Sequence, residues 1–66
     1  MNISAVIKEL RLEKELSQAE LGKRIGVSQK AVDYWERGIN EPKASYIAAL
    51  ADFFDVSADY LLGRKD

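Results

Sequence analysis

The fold is decided by residues 16–38, which read LSQAELGKRIGVSQKAVDYWERG. Ser17 and Glu20 have the S-x-x-E spacing of a capping box, in which the serine hydroxyl and the glutamate carboxylate each accept a backbone N–H at a helix start. Gly26 can adopt the left-handed conformation that closes a helix. The pattern therefore predicts a short helix that begins after Ser17 and ends at Ile25.

A second helix is predicted only two residues later. Ser28 is a second N-cap candidate, and the helix that it opens continues through Arg37 and is stopped by Gly38. The connecting turn, Gly26-Val27-Ser28, is so short that the second helix has to cross the first at a steep angle. We therefore expect the Ser28–Arg37 helix to project from the rest of the molecule.

The two faces of this second helix differ in chemistry. Val32, Trp35 and Glu36 recur at helical spacing and form the inward face. The outward face combines an amide, cations, a carboxylate and a phenol: Gln29, Lys30, Asp33, Tyr34 and Arg37. Amide, lysine and arginine groups can read base edges in the major groove of DNA, although a charged helix face is more often just a solvated surface.

The rest of the chain predicts three further helices and no strand. The first runs from about Asn2 to Lys14, with Asn2 as its N-cap and an apolar stripe of Ile3, Val6, Ile7 and Leu10. The fourth follows a polar connection that contains Pro42, and its apolar positions are Ile47, Leu50, Ala51 and Phe54. The last is capped by Ser57 and spans Ala58 to Leu62, with Tyr60, Leu61 and Leu62 expected to fold back on the core.

Composition narrows the class of protein. The 66 residues predict one domain, 1–66, and they contain neither cysteine nor histidine, so we expect no disulfide, metal site or cofactor. The apolar runs are too short for a membrane span and the N-terminal residues lack the apolar h-region of a signal peptide, so a cytoplasmic protein without a membrane partner is expected. The sequence has no histidine or cysteine, no glycine-rich phosphate-binding loop and no paired carboxylates placed in a cleft, and no small-molecule substrate is evident. An enzyme is therefore the least favoured class.

The motifs resemble those of the Cro/C1-type (XRE) helix-turn-helix family. The likeness rests on residues 16–28 (LSQAELGKRIGVS) and 35–38 (WERG), and it extends to Leu10-Arg11, Glu41-Pro42 and the segments 50–51 and 56–63. It therefore covers nearly the whole chain. The resemblance implies an all-α, compact five-helix bundle of the lambda repressor-like type, with the second helix of the motif lying in the major groove.

The resemblance also implies roles for individual residues. Base edges are contacted from three positions: Gln29, Lys30 and Tyr34. The DNA backbone is contacted from four: Gln18, Ser28, Arg37 and Lys43. For Gln18 simple helix initiation is the alternative, and for Lys43 a plain surface lysine is equally compatible. Lys23 and Arg24 rank lower, since cations also suit the last turn of a helix.

Two conspicuous residues of the third helix are interpreted as structural. Glu36 matches a family glutamate that pairs with the arginine at Arg11, which would link the first and third helices, and we expect this ion pair to be at least partly buried. Trp35 is expected in the core rather than as a stacking platform for single-stranded bases.

Net charge argues mildly against DNA, because the whole chain carries −1 and phosphate neutralisation supplies most non-specific affinity. Between Gln18 and Lys43, however, the basic residues exceed the acidic ones once Glu20 is engaged in capping and Glu36 in pairing.

The small excess of positive charge predicts weak DNA binding by a monomer and useful affinity only for a homodimer on a pseudo-palindromic operator. The dimer contacts are expected around Val56 to Leu62 and the end of the fourth helix. From the length of 66 residues we expect no separate oligomerisation or ligand-sensing module. The alternative is an antitoxin or other protein-interaction module that uses the same fold.

Three positions depart from the family pattern. Glu15 and Asp55 stand where glycine is common at a helix end, and Lys43 replaces a typical serine cap. None lies on the outward face of the third helix, so we expect these departures to cost a few tenths to about 1 kcal/mol each and to leave function intact.

Overall fold

A computed structural model describes residues 2–63, and this part of the chain forms five α-helices and no strand. The helices are α1 (Ile3–Glu13), α2 (Gln18–Ile25), α3 (Gln29–Arg37), α4 (Ala44–Phe54) and α5 (Ala58–Leu61). The predicted all-α fold is confirmed, and the bounds of α1 to α3 follow the predicted caps. None of these helices is long and apolar enough to cross a membrane.

Side-chain caps fix the helix starts. Ser17 accepts the Glu20 N–H at 3.0 Å, and Glu20 Oε1 accepts the Ser17 N–H at 2.8 Å, which completes the predicted capping box. The backbone hydrogen bond from Ser17 is the main cause of a lowered pKa for the Glu20 carboxyl. Ser28 accepts the Ala31 N–H at 3.1 Å, so α3 begins where the sequence predicts.

The core forms where the five helices converge. It consists of buried side chains from every helix: Ile3, Val6, Ile7, Leu10, Leu21, Val32, Trp35, Leu50, Ala51, Phe54 and Leu61. Within it, α3 packs against α1 and α2, while α4 packs against α2 and α5. Burial of Val32 and Trp35 anchors the back of α3 and leaves its other side on the surface.

The turn between α2 and α3 is held close to α2 by a glycine inside that helix. A Cβ on Gly22 would lie 2.7 Å from the Val27 carbonyl oxygen and 3.2 Å from the Ser28 backbone. The same turn returns hydrogen bonds to the Gly22 carbonyl from the Gly26 and Val27 N–H groups. Gly26 has φ 92°, the left-handed conformation that the helix end requires. The angle between α2 and α3 therefore depends on backbone contact.

Three helix ends carry unfavourable residues. Glu15 and Asp55 both have φ 57°, a left-handed conformation that is strained for residues with a Cβ. Lys43 is the N-cap of α4 and makes no side-chain cap hydrogen bond. The structure thus places local strain or a missing cap at each of the three departures noted in the sequence.

The expectation for the last helix was wrong in part. α5 ends at Leu61, Leu62 is its C-cap, and only Leu61 is buried. Tyr60 and Leu62 are exposed. A helix of one turn can direct only one of three successive side chains into the core, because neighbouring residues on a helix point about 100° apart.

Candidate nucleic-acid interface

The outward face of α3 is polar and lies on the surface. Gln29, Lys30 and Arg37 are exposed, and Asp33 and Tyr34 are half-buried. None of them is taken into the core, which the opposite face of α3 reaches through Val32 and Trp35. The structure therefore keeps accessible the side of α3 that the sequence predicts to contact a ligand.

Tyr34 lies between two cations on this face. The Lys30 Nζ and the Arg37 guanidinium carbon are each 5.8 Å from the centre of the Tyr34 ring. A cation within about 6 Å of an aromatic ring is attracted by its quadrupole. The phenol and the two cations consequently form one ordered cluster (Lys30, Tyr34 and Arg37) at the centre of the face.

An ion pair anchors α3 from behind. Arg11 Nε donates to Glu36 Oε2 at 2.6 Å and Arg11 Nη2 donates to Glu36 Oε1 at 3.0 Å. The side chains are 10% and 3% exposed, and Arg11 Nη1 also donates to the Leu16 carbonyl at 2.8 Å. The hydrogen bond to Glu36 raises the pKa of Arg11 further above its ordinary range. The structure thus forms the ion pair that the resemblance implies between α1 and α3.

Gln18 is half-buried, and its side-chain amide contacts α3. Its Nε2 donates to Asp33 Oδ1 at 3.3 Å and to Glu36 Oε1 at 3.2 Å. The amide nitrogen therefore bridges the buried ion pair and the outward face. Since Gln18 is the first residue of α2, its backbone N–H is one of the donors that a helix start leaves without a partner inside the helix.

Asp33 pairs with Arg37, which the sequence reasoning missed. Arg37 Nε donates to Asp33 Oδ2 at 3.1 Å, and the Arg37 and Asp33 side chains are 59% and 34% exposed. The i, i+4 spacing of an acid before an arginine is a known helix pattern that would have indicated this pair. One of the cations counted toward a positive surface is therefore partly neutralised by its neighbour.

A cleft beside α3 brings four predicted residues together. Ser28, Lys30, Tyr34 and Lys43 line an open cleft of about 680 Å³ between α3 and the segment that leads to α4. Trp35 and Tyr46 line it too, with their ring centres 5.7 Å apart. Lys43, at the start of α4, thus lies across the cleft from the outward face of α3. Gln18, Gln29 and Arg37 do not line it.

Arg24, which the sequence ranks lower, packs elsewhere. Its guanidinium carbon lies 5.8 Å from the centre of the Phe53 ring, and the Lys14 Nζ lies 5.6 Å from the same ring. These contacts give Arg24 a packing role at the end of α4.

Comparison with known proteins agrees with this geometry. The family described as "Helix-turn-helix" matches residues 7–61, which include most of α1 and the whole of α2 to α5. The chain belongs to the XRE-type helix-turn-helix family. Repressor protein C2 of Salmonella phage P22 is 41% identical over 56 residues, which are 85% of this chain and 26% of the P22 protein.

Solved structures of the family have the same fold. The crystal structure of the P22 c2 repressor with a synthetic operator superposes with a TM-score of 0.92 and 35% identity, and the match covers 98% of both chains. SinR, a master regulator for biofilm formation from Bacillus subtilis, was solved in complex with DNA. It superposes with a TM-score of 0.81 and 30% sequence identity, and the match covers 89% of this chain and 95% of the SinR chain. The chain spans 26% to 57% of the length of the curated relatives that it matches.

Proposed function

We propose that this chain is a transcriptional regulator, acting as a repressor, that binds double-stranded DNA sequence-specifically through α3 in the major groove. The observation that carries the proposal is the polar outward face of α3, held on the surface by a buried apolar and ion-paired back. The P22 c2 repressor, which has the same arrangement of helices, was solved on an operator. The proposed role uses no catalytic group, metal or cofactor, and DNA as the target implies action in the cytoplasm.

Base recognition is proposed for three side chains on the outward face of α3: Gln29, Lys30 and Tyr34. Gln29 can bond the edge of adenine through its amide, and Lys30 can donate to guanine. Tyr34 offers a hydroxyl beside Lys30 in the ordered cluster. These three side chains are expected to specify sequence, because in the proposed complex they would reach base edges in the groove from a rigid helix.

Backbone contacts are proposed for Gln18, Ser28, Arg37 and Lys43. Gln18 and Ser28 stand at the starts of α2 and α3, where unpaired N–H groups favour an anion. Lys43 occupies the N-terminus of α4, whose missing side-chain cap leaves N–H groups to be satisfied by another acceptor such as a phosphate. Together these residues would fix the register of α3 on the duplex.

A homodimer on two half-sites is proposed as the functional form. The positive excess of the interface is small, and the Asp33–Arg37 pair reduces it further. Tyr60 and Leu62 are large exposed side chains in the segment from Val56 to Leu62, where the dimer contact is expected. Burying them between two copies would use apolar surface that the core leaves uncovered.

A protein-interaction module is the less favoured function. Such a module would present an apolar patch on the outward face of α3. In residues 2–63 the large exposed hydrophobic side chains are Leu12, Ile39, Tyr60 and Leu62, and none of them belongs to α3. A polar, cation-bearing face favours DNA as the partner.

Selection of bound sequences from random duplex DNA tests the proposal directly. The wild-type chain is expected to enrich a pseudo-palindromic site, and Gln29→Ala and Tyr34→Ala are each expected to lose preference at a subset of positions within the half-site. Leu12→Ala, at an exposed side chain on α1, is the control and should select the same sequence. Enrichment of no sequence by the wild type would refute sequence-specific binding.

The salt dependence of binding tests the backbone contacts. Neutralising Arg37 and Lys43 to glutamine should reduce the slope of log K against log salt by roughly 0.9 for each phosphate that the variant no longer neutralises. Lys14→Gln, whose ammonium lies over Phe53, is the control and should leave the slope unchanged. An unchanged slope in the double variant would refute the phosphate contacts of Arg37 and Lys43.

A further inference from the structure

Asp33 is a partly exposed acid in the middle of a surface proposed to bind phosphates. Its two carboxylate oxygens hold different partners, because Oδ1 accepts from Gln18 Nε2 at 3.3 Å and Oδ2 accepts from Arg37 Nε at 3.1 Å. Both partners are residues proposed to contact the DNA backbone. A single carboxylate thus connects the start of α2 with the end of α3.

This arrangement is unfavourable for affinity taken alone. A carboxylate near phosphates repels them, and it competes with them for the Arg37 guanidinium. An exposed ion pair at i, i+4 also contributes little to folding stability. Neither DNA affinity nor stability therefore accounts for an acid at this position.

The geometry does account for it in terms of specificity. The bond to Asp33 uses one of the five N–H donors of a guanidinium, so Arg37 can still donate to a phosphate while its Nε stays on the carboxylate. The tether restricts where that phosphate can lie. On the operator, base contacts from Gln29, Lys30 and Tyr34 would set one register, and the phosphate would fall within reach. On other DNA the register of α3 varies, so a phosphate often lies beyond the reach of an Arg37 side chain that is held by Asp33.

We propose that Asp33 is a positioning residue that sets specificity: by holding Arg37 and Gln18 in one place, it weakens binding to arbitrary DNA more than binding to the operator. The inference rests on the proposed function. It assigns to Asp33 a role in discrimination that requires no contact between Asp33 and a base.

Asp33→Asn tests this role with almost no change of shape. The asparagine oxygen can still accept from Gln18, but its amide nitrogen cannot accept from Arg37, so the arginine is released. Affinity for a duplex of scrambled sequence is expected to rise roughly two- to fivefold, the range that corresponds to an exposed ion pair. Affinity for the selected operator should rise less, so the ratio of the two affinities falls. The salt slope on scrambled DNA should steepen because Arg37 can then neutralise a further phosphate.

Asp52→Asn is the matched control for charge. Asp52 is exposed, and its substitution removes the same unit of negative charge as Asp33→Asn. Asp52 lies nine residues from Lys43 in the chain, which places it roughly 13 Å along α4 from the proposed phosphate contact at the start of that helix. We expect this variant to keep the wild-type ratio of operator to scrambled affinity. Circular dichroism should show the same helix content in both variants and the wild type.

A double-mutant cycle with Arg37→Gln identifies the route of the effect. If Asp33 acts by tethering Arg37, Asp33→Asn should leave the affinity ratio unchanged in the Arg37→Gln background. The inference is overturned if Asp33→Asn changes operator and scrambled affinities by equal factors, or if its effect on the ratio persists without Arg37. These outcomes leave the proposed function standing, which fails instead if the wild-type chain prefers no sequence at all.

Discussion

Replacing Arg11 with methionine is expected to destabilise the fold more than most single substitutions in this chain. The change removes three hydrogen bonds, two to Glu36 and one to the Leu16 carbonyl, while it keeps most of the apolar volume of the side chain. Glu36 would then remain 3% exposed with only the Gln18 amide as a partner. A buried charge without its counterion is the main cause of the expected loss.

The size of the effect follows from these contacts. Removing one partner of a buried ion pair costs about 3 to 5 kcal/mol. A chain of this length is expected to have a free energy of unfolding of roughly 3 to 10 kcal/mol in total. Arg11→Met should therefore remove a large part of this free energy, and it would unfold the chain at room temperature if the total lies at the lower end of the range.

The double variant Arg11→Met with Glu36→Leu separates a stranded charge from impaired packing. It removes both charges together, and the main remaining cost is the missing hydrogen bond to Leu16, worth about 1 kcal/mol. We expect its stability to lie within about 2 kcal/mol of the wild type and well above that of the single variant.

The measurement is urea unfolding, monitored by far-ultraviolet circular dichroism and by tryptophan fluorescence. Trp35 is the single tryptophan of the sequence; it is buried and directly precedes Glu36 in the chain. The reasoning is refuted if Arg11→Met costs less than about 1 kcal/mol, which is the value of an exposed pair. It is also refuted if the double variant is no more stable than the single one.

Other predictions concern the helix ends. Glu15→Gly and Asp55→Gly should each raise the free energy of unfolding by up to about 1 kcal/mol, because both positions have positive φ; a decrease in either urea titration would contradict this reason. Ser17→Ala should cost about 1 kcal/mol through loss of the cap to α2. Because the folded pKa of Glu20 is lowered from 4.5, its contribution is present above that value and lost as pH falls through the lower folded pKa. Glu20→Gln should therefore flatten the acid side of the stability profile measured by urea unfolding. Lys43→Ser should stabilise the fold by about 1 kcal/mol and weaken DNA binding. An unchanged or higher DNA affinity would contradict the proposed phosphate contact of Lys43.

The helices could be predicted closely because their ends are chemically marked. The helix starts are marked by local cap hydrogen bonds of Ser17, Glu20 and Ser28, and the helix ends by the left-handed backbone of Gly26 and Gly38. These local effects do not depend on the rest of the chain. α5 was less predictable: it has a single turn and therefore no periodic pattern that could show which of its side chains faces inward.

The connections among polar side chains could be predicted only in part. The pair between Arg11 and Glu36 follows from a family resemblance, since the two residues are 25 positions apart and no local spacing joins them. The bonds from Gln18 to Asp33 and Glu36 depend on the angle between α2 and α3, which sequence spacing bounds but does not determine. The structure supplies that angle.

The contact at Gly22 has a consequence for how DNA is approached. Main-chain atoms of α2 and the following turn touch there with no side chain between them, so no rotamer change can alter the spacing. The two helices should consequently move as one rigid body, and little conformational entropy remains to be lost when a duplex arrives. If α3 binds DNA as proposed, its complementarity to the groove would be present before encounter, and adaptation on association would fall to the long side chains and to the DNA itself.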